Sequence, residues 1–126
     1  MLLAELTVRA VHETWAWVVI GANAVAGVWS LAANWLTGLR TRPLWWFTTA
    51  AELTIFVQVI LGVVMVSAQG LVAPQFHMFY GFVAIITVAI LYSYRQQLEA
   101  HRYLLYGFGG LFLMGLGLLA LVVGPR

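Results

Sequence analysis

The chain has 126 residues, of which 63% are hydrophobic and only 8% are charged, and its formal net charge is +2. A soluble domain carries about 25% charged residues, so this composition excludes one and indicates an integral membrane protein. Six arginines and four glutamates supply all the charge, which excludes a nucleic-acid surface. Because the chain has no cysteine, thiolate metal sites, iron–sulfur clusters and disulfides are also excluded, which leaves His, Glu, Met and Tyr for any site chemistry.

Four long apolar runs predict an all-α integral membrane protein that folds as a four-helix bundle. Each run meets the ~20 residues that a helix needs to cross a ~30 Å hydrocarbon core. The predicted helices cover about residues 10–36, 44–68, 75–97 and 101–123, within a single domain of residues 1–126. Between the first two lies TGLRTRP, whose glycine, arginines and proline predict a helix end followed by a helix start.

Small residues recur along the first and fourth predicted helices. Ala22, Ala26 and Ser30 form a stripe on the first helix, since they are spaced four residues apart. Glycines weaken a helix in water, but in lipid they allow a neighbouring backbone to approach closely. Close helix packing is therefore expected at Gly107, Gly109, Gly110, Gly115 and Gly117.

Arginines are concentrated in the first and third connections, which lie on one side of the membrane when four helices cross it. These residues are Arg40, Arg42, Arg95 and Arg102, whereas Arg9 and Arg126 lie near the two termini. Under the positive-inside rule, this distribution predicts that both termini are on the outer side. We expect the protein in a bacterial plasma membrane, in contact with the lipid bilayer.

A nine-residue pattern that begins with histidine occurs twice. Residues 12–20 read HETWAWVVI and residues 77–85 read HMFYGFVAI. In both copies a small residue, Ala16 or Gly81, follows the histidine by one helical turn and has aromatic neighbours. Two helix starts with interfacial aromatic residues can also become alike by convergence.

The two histidines are candidate ligands of one b-type haem. The first and third helices run in the same direction, so His12 and His77 are expected at similar depth near the outer face. A haem in a helical bundle takes two imidazoles from opposite sides, and Ala16 and Gly81 leave room for the macrocycle. Arg9, one turn outward from His12, is a candidate partner for a haem propionate.

The segments VHETWAWVV and FHMFYGFVA, together with QVILGVV at residues 58–64, resemble one four-helix half of the haem A synthase family. The resemblance covers about residues 10–95 and implies that His12 and His77 are axial haem ligands. More distantly, the chain is similar to membrane cytochromes of the b561 type, but two stacked haems require four histidines and this chain has three.

The chain departs from the enzymatic half of the haem A synthase family around both histidines. That half carries a glutamate three residues before the histidine and an arginine directly after it. Here the preceding positions hold Arg9 and Pro74, and the following positions hold Glu13 and Met78. These departures argue against oxidation of a haem methyl group, so no catalytic activity of its own and no catalytic residue is expected.

Three polar residues are expected inside the membrane: Glu52, Asn23 and Gln58. A carboxyl group near mid-membrane costs about 2.5–3.5 kcal/mol on insertion scales and therefore suggests a function, such as proton or ion transport. The structural alternative is a protonated Glu52 that hydrogen-bonds to Asn23 or Ser30 on the first helix. His101 is expected to be an interfacial or connection residue.

Two main hypotheses follow. In the first, the protein binds haem b and transfers electrons or handles haem at the outer face. In the second, it is a cofactor-free accessory subunit of a larger respiratory or transport complex, with small-residue stripes and tryptophan-rich edges as contact surfaces. Partners would be other membrane subunits or further copies of the chain, and no nucleic acid.

Overall fold

The computed structural model describes residues 2–124, apart from the side chains of Leu2 and Glu5, so Arg126 lies outside the described residues. Four helices are long and apolar enough to cross a membrane, and residues 2–124 contain no strand. They are α1 (Leu2–Ala33), α2 (Arg42–Ser67), α3 (Gln75–Ser93) and α4 (Arg102–Val122), with short 3-10 helices at Thr37–Leu39 and Glu99–His101. The predicted all-α membrane architecture is confirmed.

Two helix boundaries differ from the prediction. Helix α1 begins at Leu2 rather than near residue 10, because Glu5 and Arg9, which interrupt the apolar run, are good helix formers that hydropathy alone discounts. His12 therefore lies in the third turn of α1. Helix α3 ends at Ser93 rather than near residue 97. Just beyond this end, the Arg95 guanidinium donates to the Tyr92 carbonyl at 2.7 Å, which satisfies an acceptor of the last turn.

The helices pack in the order α2, α1, α4, α3. Helix α1 contacts both α2 and α4, and α4 contacts α3, whereas α2 and α3 contact each other little. The bundle is therefore closed on three sides and more open between α2 and α3. At one end, α1 and α3 begin while α2 and α4 finish. We call this the histidine end, and the opposite end, which holds the first and third connections, the arginine end.

Glycines set the distance between α1 and α4. A Cβ atom on Gly27 would lie 2.7 Å from the Leu111 amide nitrogen, and one on Gly110 would lie 2.8 Å from the Cα of Gly27. A Cβ on Gly107 would lie 2.9 Å from the Cα of Leu31. Since real Cβ atoms do not approach backbone so closely, the two helices can touch here only without side chains. This explains the glycines at 107 and 110.

Buried polar side chains tie α1 to its neighbours through backbone carbonyls. The Asn23 amide donates to the carbonyl of Val19 at 2.8 Å and to that of Ala51, on α2, at 3.2 Å. The Ser30 hydroxyl donates to the carbonyl of Tyr103, on α4, at 2.9 Å. Such bonds hold helices together where the hydrophobic effect does not act between them.

The glycine contact gives a stability prediction with a matched control. Gly110→Ala places a methyl group against the α1 backbone, so we expect it to lower the free energy of unfolding by about 1–3 kcal/mol. Gly115→Ala, on the same helix, meets no atom within 4 Å and should not lower it. Unfolding of both variants in detergent, followed by circular dichroism, measures the difference. Equal stabilities would contradict the role of Gly110.

Candidate functional site

His12 and His77 lie side by side at the histidine end. Their ring centroids are 6.0 Å apart, and the ring planes are inclined by 71°. Both side chains are half-buried. The parallel direction of α1 and α3 brings the two residues to the same level, although His12 is in the third turn of its helix and His77 is in the first turn.

The His77 ring is oriented by the end of α4. Its Nδ1 lies 2.7 Å from the carbonyl oxygen of Ala120. A carbonyl oxygen only accepts hydrogen bonds, so Nδ1 carries the proton and Nε2 presents its lone pair. Histidines that bind metals commonly have this arrangement, because the bond to a carbonyl fixes the tautomer and makes the other nitrogen more basic.

The His12 ring lies against α2 and has an unused polar atom. Its Nδ1 is buried and has no hydrogen-bond partner among the described residues. The Gln58 amide donates to the His12 backbone carbonyl at 2.8 Å, and a Cβ on Gly62 would lie 3.4 Å from the Cε1 of His12. A buried nitrogen without a partner costs about 1–3 kcal/mol, and a ligand that engaged Nδ1 itself would remove that penalty.

The donor set fits a haem iron better than a bare metal ion. No group of three or more His, Cys, Asp or Glu side chains that could hold a metal occurs among the described residues. A bare ion would therefore have two protein ligands, whereas a haem iron takes four nitrogens from the porphyrin and needs only two axial ligands. With metal–imidazole bonds of about 2 Å, two rings on opposite sides of one iron have centroids roughly 6 Å apart. Two rings in an edge-to-face aromatic contact, without an iron between them, have a similar distance between their centroids.

Ala16 and Gly81, the small residues that follow the histidines, lie one helical turn further along α1 and α3. Ala16 and Gly81 are both partly exposed, and a Cβ on Gly81 would meet no atom within 4 Å. Space is therefore available one turn below His77. Arg9 is on the exposed surface, where its Nε lies 3.2 Å from the Glu13 carboxylate, so pairing with a propionate stays a prediction.

The proposed hydrogen bond from Glu52 to Asn23 or Ser30 is wrong. Both of those side chains donate to backbone carbonyls instead, because a carbonyl one turn away or on the adjacent helix is already in place. Glu52 is half-buried on α2. His101 is exposed in a 3-10 helix at the arginine end, far from the histidine pair.

Sequence reasoning missed the residues that surround the two rings. Gln58 was expected only as an intramembrane polar residue, and Gly62, Ala120 and Gly124 were not singled out at the site. Gln58 and Gly62 are four residues apart on one face of α2, and Ala120 and Gly124 have the same spacing at the end of α4. That spacing was readable, but the Ala120 contact uses a backbone carbonyl, which any residue type provides.

No protein-family model, no curated protein sequence and no solved structure matches the chain. The resemblance to the haem A synthase family therefore stays a prediction that rests on the two histidine segments and the QVILGVV segment. The chemistry of the site has to be inferred from the two imidazoles and their immediate surroundings.

The tautomer of His77 is a direct test of this geometry. In ¹⁵N NMR spectra of ligand-free protein, at a pH where imidazoles are neutral, we expect the proton of His77 on Nδ1 because Ala120 accepts it. His101, which is exposed, serves as the reference for an unconstrained ring. A proton on Nε2 of His77 would show that the bond to Ala120 does not form.

Proposed function

We propose that the protein binds one haem b between His12 and His77 and acts in electron transfer or haem handling. The observation that carries the proposal is the pair of half-buried imidazoles with centroids 6.0 Å apart, of which one is oriented by a carbonyl. When bound, haem supplies one-electron redox chemistry at its iron. His12 and His77 would supply the two nitrogens that hold the iron.

The surroundings of each histidine suit this role differently. The Ala120 carbonyl holds the proton on Nδ1 of His77, so that the lone pair of Nε2 stays available. The Gln58 amide holds the backbone of His12, and Gly62 leaves the α2 side of that ring free of a bulky side chain. His12 and His77 would hold the haem iron together, and a haem held by two imidazoles would serve electron transfer rather than catalysis at the iron.

Haem binding is tested by the absorption spectrum of protein purified after expression with ample haem. We expect a low-spin spectrum of bis-histidine type in the wild type. His12→Ala and His77→Ala should each abolish it, because one axial ligand is lost, whereas His101→Ala should leave it intact. Circular dichroism shows whether each variant keeps its helices. A colourless wild-type protein would exclude the proposal.

The orientation of the bundle follows from the arginines. The histidine end carries Arg9, whereas the arginine end carries Arg40, Arg42, Arg95 and Arg102. The positive-inside rule then places the histidine end at the outer face of the plasma membrane. Haem bound there would exchange electrons with partners on that side.

The orientation is tested with single cysteines, since the chain has none of its own. A cysteine at Thr41, in the first connection, should not react with an impermeant thiol reagent in intact cells, but should react after the membrane is opened. A cysteine at Val72, which is exposed in the second connection, should react in intact cells. The reverse labelling pattern would show that the orientation is inverted.

A cofactor-free accessory subunit is the second candidate, and exposed aromatic residues favour it. Phe76, Phe79 and Phe82 are each more than half exposed at intervals of three residues on α3. Aromatic side chains are enriched where membrane or protein partners pack. If the protein is a cofactor-free subunit, the two histidines make only an edge-to-face contact, and the purified protein will be colourless.

A further inference from the structure

The arginine end carries positive charge that the chain itself does not neutralise. Four arginines lie at this end, with Arg40 and Arg95 in the two connections and Arg42 and Arg102 as the first residues of α2 and α4. The two connections contain one glutamate, Glu99. Within the part of the chain that the structure describes, the ion pair present is that of Arg9 with Glu13, at the histidine end. The arginine end is therefore a cationic surface at the level where lipid headgroups lie.

Two of these arginines are held over one aromatic ring. The Cζ of Arg40 lies 4.7 Å from the ring centroid of Tyr103, and the Cζ of Arg102 lies 5.1 Å from it. Tyr103 is 8% exposed and packs on Trp45 with ring centroids 5.5 Å apart. Arg40, in the first connection, and Arg102, the first residue of α4, thus both contact the Tyr103 ring although they are distant in sequence.

Each guanidinium is positioned by the chain and keeps donors free. The Nε of Arg40 donates to the Ala33 carbonyl at 2.7 Å, and its Nη2 donates to the Asn34 carbonyl at 2.8 Å. These bonds satisfy carbonyl groups at the end of α1 that have no partner within the helix. The Nη2 of Arg102 donates to the Tyr103 hydroxyl at 3.2 Å. A guanidinium has five N–H groups, so donors remain on both residues.

We propose that Arg40 and Arg102 bind the phosphodiester of an anionic phospholipid, in the leaflet next to the arginine end. Guanidinium groups match phosphate oxygens in geometry and charge, and fixed ones lose little freedom on binding. The excess of arginine over carboxylate favours a lipid with net negative charge over a zwitterionic one. Trp45 and Tyr103 are of the residue types that prefer the headgroup level.

The site is independent of the proposed haem. It lies at the opposite end of the bundle and shares no residue with the histidine pair. Both guanidinium groups place positive charge beside the Tyr103 ring, and a bound phosphate would offset that charge. A bound lipid would also stabilise the contact between the first connection and α4, because Arg40 and Tyr103 belong to these two parts of the chain.

Native mass spectrometry of the detergent-purified protein tests this proposal. Phosphatidylglycerol and phosphatidylcholine with identical acyl chains are added separately, and lipid-bound protein is measured against lipid concentration. We expect the wild type to retain phosphatidylglycerol preferentially. Arg102→Gln should weaken this retention about tenfold, since it removes a charged hydrogen-bond donor. Arg102→Lys, which keeps the charge without the planar fork, should weaken it less.

The matched control is Arg9→Gln, because Arg9 is exposed and already paired with Glu13 at the histidine end. This variant should bind phosphatidylglycerol as the wild type does. Arg40→Gln should reduce retention as well, but it also removes bonds to the end of α1, so Arg102 carries the test and circular dichroism checks folding.

Three results would overturn the proposal. The first is equal retention of the two lipids by the wild type. The second is an Arg102→Gln variant that behaves like Arg9→Gln. The third is displacement of phosphatidylglycerol by inorganic phosphate at a similar concentration, which would show a general anion site rather than a lipid site.

Discussion

The close contact between α1 and α4 is the constraint on which the rest of the bundle depends. In lipid, apolar side chains gain little by leaving one apolar environment for another, so helices associate through close packing and interhelical hydrogen bonds. Gly27, Gly107 and Gly110 let the two backbones meet directly. Because α1 carries His12 and α4 supplies the Ala120 carbonyl that orients His77, the same contact fixes the candidate site.

Interhelical hydrogen bonds of one kind join α1 to α2 and, through Ser30, α1 to α4. The side chains of Trp15, Asn23, Ser30 and Gln58 each donate to a backbone carbonyl on another helix. A carbonyl keeps an acceptor site after its helical bond is made, so these contacts need no second polar side chain inside the membrane. The two ends of the bundle are then free to differ, with paired imidazoles at one end and guanidinium groups on aromatic rings at the other.

The number of helices and the level of the two histidines could be predicted because both follow from local properties, namely the length of apolar runs and the direction of successive crossings. The start of α1 could not be predicted, since Glu5 and Arg9 interrupt the apolar run without ending the helix. The partner assigned to Glu52 was wrong, because Asn23 and Ser30 bond to carbonyls that sequence does not reveal. The contact of His77 with Ala120 was hidden for the same reason. Haem binding stays a prediction.

The most direct test of the central proposal is a titration of purified, ligand-free protein with haem. Absorbance gives the stoichiometry, and resonance Raman spectroscopy gives the coordination and spin state of the iron. The paired imidazoles predict saturation at one haem per chain, with a six-coordinate low-spin iron. Absence of saturation, or a five-coordinate iron that is unchanged when His12 and His77 are both replaced, would contradict it.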